Sequence, residues 1–153
     1  RRLIKGIGVR KSESCVMKSA DRIASKKMSA VPQKGTSVEI LVRNALAGMG
    51  ILFETNVDTL PGRPDIWLVN EEIPIFVHGC FWHRHDGCSR SSSPKSNKNF
   101  WEDKFEKNIA RDRKVSVQLK QMGYTSLIVW QCETKDPKKL KNLLSKKMAF
   151  CQS

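Results

Sequence analysis

All three histidines of this 153-residue chain lie in one block, His78-Gly79-Cys80-Phe81-Trp82-His83-Arg84-His85-Asp86-Gly87-Cys88. Imidazoles and thiols concentrated in so short a segment restrict the fold, because their chemistry requires rigid elements on both sides. The closely spaced Cys80, His85 and Cys88 can converge on a tetrahedral ion, and Cys132, beyond a strand-like run, can supply a fourth ligand. A Cys₃His set of that kind is a closed structural zinc site. The competing reading makes Cys88 and Cys132 ordinary buried thiols, but it leaves His85 without a partner. Five cysteines is an odd number, and their grouping with histidine favours metal ligation over a disulfide framework. Cys15 and Cys151, expected in tails, stand outside the set.

Around this block the hydrophobic periodicity places the elements. Thr36-Ser37-Val38-Glu39 has the form of a capping box, and Val38, Leu41, Val42, Ala45, Leu46 and Met49 then recur at helical spacing until Gly48 and Gly50. Three β-type runs follow, Ile51 to Thr55, Asp65 to Val69 and Ile73 to Val77, the last two joined by Asn70-Glu71-Glu72 as a small meander. Ser89 to Asn99 reads as a loop. Phe100 to Met122 reads as a long, mostly solvated helix with Trp101, Phe105, Ile109 and Leu119 among charges. Gly123 ends it, Tyr124 to Trp130 is an almost unbroken apolar strand, and Pro137 opens a basic helix to about Ala149. The predicted order is α, β, β, β, α, β, α, in one domain from residue 21 to 153. Residues 1–20, rich in Lys, Arg and Ser without periodicity, read as a basic arm.

Charge indicates the partner. With 28 basic against 15 acidic side chains the net charge is +13, which points to a polyanion, nucleic acid before membrane. No apolar run approaches the roughly 20 residues of a membrane span, and Arg1-Arg2-Leu3-Ile4-Lys5 lacks the apolar stretch of a signal peptide, so a cytoplasmic location is expected. The 39% hydrophobic content is enough for a single core at this length.

A second chemical signal precedes the histidine block in Leu60-Pro61-Gly62-Arg63-Pro64-Asp65. Phosphodiester hydrolysis needs a carboxylate that holds Mg²⁺ against the scissile phosphate, and a strand terminus is a fixed place for one. Taken alone, a Pro-Asp pair is more often a turn cap. Many nucleases of the restriction-endonuclease fold carry Glu-x-Lys on the next strand, whereas Phe76-Val77-His78 stands here, so histidine must take over more of the work.

Taken together, Lys27-Met28, Thr36 to Glu39, Leu60 to Asp65, Phe76 to His83, Phe100-Trp101, Asn108 with Arg111-Asp112, and Val129 to Cys132 resemble the very short patch repair (Vsr) endonucleases in order and spacing. The resemblance covers about residues 21 to 134 and implies a three-layer α/β core of the restriction-endonuclease type with a mixed central sheet. It makes Asp65 the principal magnesium ligand, helped by the backbone carbonyl of Val77. It gives His83 the task of orienting or deprotonating the attacking water, with Asp112 holding its imidazole, and brings His78 to the reacting phosphate. Glu39 matches the family's acidic residue near the metal, although its place in a capping box explains it equally well. Phe81, Trp82 and Trp101 resemble aromatics pushed into the base stack beside a mismatch, where a T·G step costs less to unstack than a matched one. The alternative for these three is ordinary core packing.

Two departures from the family stand out. Asp86-Gly87 lengthens the approach to Cys88, which bears on the zinc geometry, and residues 1–20 have no counterpart. The implied activity is a Mg²⁺-dependent nick in one strand, 5′ of a thymine mispaired with guanine after 5-methylcytosine deamination. The implied partners are mismatched double-stranded DNA and mismatch-repair proteins, with a monomer sufficient for one cut. Two rivals are a Vsr-like restriction enzyme cutting both strands of matched DNA and a zinc-stabilised DNA-binding module without catalysis. A pure binder has no use for a carboxylate that repels phosphate beside an ionisable imidazole.

Overall fold

The computed structural model describes residues 36–153. The expected basic arm at 1–20, Lys27-Met28 and Cys15 fall outside the described residues. Helix α1 (Ser37–Gly48) starts where the Thr36 hydroxyl accepts the Glu39 N–H at 3.3 Å, as an N-cap should. Strands β1 (Phe53–Thr55), β2 (Ile66–Leu68) and β3 (Ile73–His78) form the expected antiparallel meander. The long helix α2 (Lys98–Gln121) leads to β4 (Leu127–Trp130), and Pro137 in the first turn opens α3 (Pro137–Gln152), capped by Asp136. The sheet order is β1-β2-β3-β4, with β3 and β4 parallel. A parallel pair needs a long crossover, and α2 provides it. The fold is therefore α/β with a mixed four-stranded sheet.

Some boundaries differ from the periodicity. The last strand begins at Leu127, not Tyr124, because the Tyr124 N–H bonds back to the Leu119 carbonyl at 2.9 Å and its ring meets Trp67 edge-on. Within the expected loop, Ser89–Ser91 makes a turn of 3-10 helix, and α2 already starts at Lys98. Cys151, read as lying in a tail, sits in α3 and packs half-buried against the core. The apolar positions at 144 and 148 carry the helical stripe that far.

Strand alternation decides which residues meet the core. On β3, Ile73, Ile75 and Val77 join Leu127 and Val129 of β4, Val42 and Leu46 of α1, and Leu140 and Leu144 of α3 in one cluster. Phe76 and His78 point the other way, toward α2. That helix meets the sheet side with a stripe at alternating spacings of four and three residues, namely Trp101, Phe105, Asn108, Asp112 and Val115. At Gly62 the chain passes so close that a Cβ would lie 2.5 Å from Val115 and 3.2 Å from Phe76, and its φ of +75° also suits glycine. No helix among the described residues is long and apolar enough to cross a membrane.

The core cluster yields a stability test. Leu46 is fully buried between α3 and the sheet, so Leu46→Ala should cost roughly 2–5 kcal/mol through lost burial and a residual cavity. Urea unfolding would show it as a lower midpoint with an unchanged slope.

Candidate active site and metal centre

The segment between β3 and α2 brings the histidine block into two adjoining clusters. In the first, the Sγ atoms of Cys80, Cys88 and Cys132 and a ring nitrogen of His85 all lie within 4.8 Å of one another. His85 Nδ1 is 3.7 Å from Cys80 Sγ and 3.2 Å from Cys132 Sγ. Zn–S bonds of about 2.3 Å and Zn–N bonds of about 2.0 Å in a tetrahedron separate S and N by roughly 3.5 Å, so this donor set fits such an ion. All four described cysteines are free thiols. Burial and the neighbouring Cys80 and Cys88 sulfurs push the Cys132 thiol up to about 12, whereas a backbone hydrogen bond at Arg90 holds Cys88 below its usual range. Thiols crowded in this way cannot all ionise unless a cation joins them.

The lengthened loop does not spoil this arrangement. Gly87 takes a φ of +66°, Cys88 N–H returns to the His85 carbonyl at 3.3 Å, and Ser91 Oγ donates to the carbonyls of His85 (2.8 Å) and Cys88 (2.7 Å). On the other side, the turn that carries Cys132 is tied down by Glu133 and Lys147. Trp130 N–H donates to Glu133 Oε2 at 2.8 Å, while Lys147 Nζ donates to Glu133 Oε2 at 2.9 Å and to the Ile128 carbonyl at 2.7 Å. Trp130 also stacks on His85, with ring centroids 4.3 Å apart. The spacing of Ser91, Glu133 and Lys147 gave no sign of these roles: Ser91 and Glu133 act on backbone within six residues, and Lys147 reaches the turn from α3.

The second cluster is His78, His83 and Asp112. His83 Nδ1 lies 2.5 Å from Asp112 Oδ2. Burial pushes the Asp112 carboxyl up, but the hydrogen bond and charge of His83, with His78 and Arg111, more than offset this and leave it below the usual range. An ionised Asp112 can only accept, so His83 Nδ1 carries a proton, and in the neutral imidazole Nε2 is then the nitrogen with the free lone pair. His78 is buried, and desolvation together with the His83 charge lowers it to about 4, so it is neutral near pH 7. The two imidazoles stack at 3.8 Å, 9° from parallel. Their lone pairs thus lie in parallel planes and do not converge on one ion, which suits this cluster to proton and hydrogen-bond work more than chelation.

Asp65 stands just before β2, and its Oδ2 accepts the Val77 N–H at 2.8 Å across to β3. Burial and the charge of Glu39 raise its carboxyl, against the Val77 hydrogen bond, Arg43 and His83. Glu39 is only 4% exposed, and its carboxylate accepts from Thr36 Oγ1 at 3.3 Å and from Arg43 Nη2 at 3.2 Å. Its backbone N–H serves the helix cap while its side chain lies within electrostatic reach of Asp65, so both readings of Glu39 describe part of its surroundings. Two hard carboxylate donors are the kind of ligand a small divalent cation takes, and such an ion needs few from the protein.

Phe81, Trp82 and Trp101 form one half-buried aromatic group. Phe81 meets Trp82 at 5.0 Å, Trp101 at 5.5 Å and Phe105 at 5.2 Å, and Trp82 lies 5.9 Å from Trp101. Phe105 is buried beneath them, and the Arg84 guanidinium lies over its ring at 4.4 Å. Asn108 Nδ2 donates to the Trp82 carbonyl at 3.1 Å and so fastens the turn between the two clusters to α2. Arg43 escaped the reading of the sequence, although its i,i+4 spacing from Glu39 was a visible signal.

The chain is similar to known DNA endonucleases. A family model described as DNA mismatch endonuclease Vsr matches residues 16–90. DNA mismatch endonuclease Vsr of Escherichia coli (strain K12) is 38% identical over 116 residues, covering 76% of this chain and 74% of its own. Type II nicking enzyme V.XorIIP of Xanthomonas oryzae pv. oryzae is 41% identical over 109 residues, covering 71% of this chain and 79% of its own. Type II nicking enzyme V.NmeAIP of Neisseria meningitidis serogroup A is 38% identical over 109 residues, covering 71% and 77%.

The thiol cluster can be tested without reference to catalysis. Cobalt(II) titrated into metal-free protein should produce sulfur-to-metal charge-transfer absorption, and Cys132→Ser should weaken it and lower affinity at least roughly tenfold. Because binding must displace protons from Cys132 and its neighbours, cobalt affinity should fall as pH decreases. Equal spectra for both proteins would remove Cys132 from the ligand set.

Proposed function

This chain belongs to the Vsr family of DNA endonucleases, and on that premise we propose that it nicks one strand of duplex DNA 5′ of a thymine mispaired with guanine. Such T·G pairs arise when 5-methylcytosine deaminates. The observation that carries the proposal is the His83–Asp112 pair beside His78 at the end of β3, with the Asp65 carboxylate hydrogen-bonded to Val77 of the same strand.

In this reading Asp65 holds a Mg²⁺ ion together with the Val77 backbone carbonyl, and Glu39 reaches the same site. The bound ion would supply Lewis-acid stabilisation of the charge that builds on the phosphate. His83 Nε2 accepts a proton from the attacking water as its oxygen bonds to phosphorus. The bond from phosphorus to the 3′ oxygen breaks, giving a 5′-phosphate and, after proton uptake, a 3′-hydroxyl. Asp112 fixes the imidazole tautomer and stabilises the imidazolium that forms. His78, kept neutral by burial, donates one hydrogen bond to the reacting phosphate without adding a charge that would bind ground state and transition state alike.

Cys80, His85, Cys88 and Cys132 would hold a structural zinc ion, since a Cys₃His set supplies all four ligands, and the bound ion would stiffen the turn that carries His83. Phe81, Trp82 and Trp101 wedge into the stack at the mismatch, where the cost of unstacking separates T·G from matched pairs. The excess of basic side chains supplies the salt-dependent, sequence-independent part of DNA affinity. One active site cuts one strand, so a monomer suffices.

Two duplexes identical except for T·G against C·G, with each strand labelled separately, test the reaction. In Mg²⁺ the nick should appear only in the thymine strand of the mismatch. Cleavage of both strands in matched DNA would overturn the proposal. With the mismatched duplex, Asp65→Ala should abolish nicking and leave binding nearly unchanged. His83→Ala should slow nicking by roughly 10²-fold or more, the usual contribution of a positioned proton-transfer group. If His83→Ala loses binding and cleavage in parallel, the residue contacts DNA or supports the fold instead.

A further inference from the structure

Trp130 takes no part in the reaction just described, yet it touches a ring in each of the two clusters. The parallel register of β3 and β4 pairs His78 with Trp130, so both side chains leave the sheet on the face opposite the core residues Leu127 and Val129. The indole meets the His78 imidazole edge-on, with centroids 5.3 Å apart and planes at 75°. It also lies flat against His85, at 4.3 Å and 8°. Because His78 stacks on His83, four rings run in unbroken contact from the catalytic imidazole to the thiol cluster.

The outer torsion of a histidine side chain has broad minima, so neighbours set the ring plane more than the bond does. For His83 the Asp112 hydrogen bond does this. His78 has no such tie: among the described residues its ring nitrogens make no hydrogen bond, and the rings of Phe76, His83 and Trp130 surround it. Phe76 is the farthest of the three, at 6.2 Å and tilted by 53°. Trp130 is itself held at both ends, its N–H by Glu133 Oε2 at 2.8 Å and its ring by His85. A histidine bound in a tetrahedral site keeps one ring orientation, and His85 would then offer Trp130 a fixed face.

We propose that Trp130 is a positioning residue that passes the fixed plane of His85 to His78, and through the His78–His83 stack to the imidazole that takes the proton. The inference rests on the reading of His78 and His83 as groups at the scissile phosphate and of the thiol cluster as a metal centre. Backbone through Cys80 and through the turn at 83–85 gives the cluster one route to the active site. The ring path gives it a second, from the end of β4, and joins the order of His78 to the occupancy of the cluster. Trp130 touches none of the reacting atoms.

Imidazole ¹H–¹⁵N spectra of the full chain at one pH provide the test, because its three histidines comprise one ligand, His85, and two reporters. Zinc-loaded protein is compared with protein loaded with cadmium, a larger ion of the same charge that thiolates also bind. In wild type the exchange should move the His78 signals together with those of His85. Trp130→Leu removes the ring; it should keep the metal and the His85 response but lose most of the shift at His78, and Trp130→Phe should restore it. Should Trp130→Leu fail to fold, Trp130→Met is a second ring-free variant. Zinc-loaded Trp130→Leu should also nick the T·G duplex roughly tenfold or more slowly in single turnover, as a misplaced catalytic group does, with DNA affinity unchanged and the rate recovered in Trp130→Phe. A residue that only supports the fold would lower the melting temperature and leave the His78 response to cadmium intact. A His78 shift largely retained without the ring, or missing in wild type, overturns the proposal. His83→Ala in parallel separates the two failures. If it nicks as wild type does, the catalytic reading falls; if it loses nicking while wild-type His78 ignores the metal exchange, only the ring path falls.

Discussion

A β-strand cannot bury Ile75 on one face without turning Phe76 and His78 to the other, and this constraint of period two on β3 organises the molecule. The odd positions enter the core with α1, α3 and β4. Their even neighbours face α2, which must cross the sheet to make β3 and β4 parallel. The histidine block begins where β3 ends, so its ligands and bases are delivered to the space between a rigid strand and a long helix. Register, not loop chemistry, places His78 within stacking distance of His83.

The polar groups near β3 share one problem, which is loss of water. Burial alone drives Asp65 upward, His78 downward and Cys132 upward, each toward its neutral form. Each is countered locally in a different way. The Val77 N–H and Arg43 favour the charged form of Asp65, while His78 stays neutral beside a second imidazole, and Cys132 lies among donors that a cation would ionise together. Desolvation of this kind strengthens the electrostatic contacts that a phosphoryl reaction depends on. It also explains why the polar residues of this region come in pairs.

Two anchors on opposite sides hold the thiol cluster. Ser91 closes the loop that bears Cys88, and the Glu133–Lys147 pair binds the turn of Cys132 to α3. The aromatic group is fastened in the same manner by Asn108 and by Phe105 beneath it. Supporting contacts of this sort decide how accurately a site is held. They come almost entirely from residues whose types, alone, suggest only a solvated surface.

Element order and the close grouping of Cys80, His85 and Cys88 were legible in the sequence, because they depend on periodicity or on residue type at short spacing, while the mixed sheet and the magnesium role of Asp65 were read only from the family resemblance. The 4, 3, 4, 3 stripe of α2 was also there to be read, from Trp101 through Phe105, Asn108 and Asp112 to Val115. What could not be read was which partner each would meet. Glu39 illustrates this: its place after Thr36 marks a helix cap and Arg43 follows at i,i+4, but only the core that α1 shares with β2 and β3 brings its carboxylate within electrostatic reach of Asp65. The start of β4 at Leu127 and the inclusion of Cys151 in a core-facing helix were likewise settled by contacts among distant segments. Local sequence specifies periodicity and chemistry along the chain. Distances between groups separated by tens of residues arise only when a shared core fixes register, crossover and burial together.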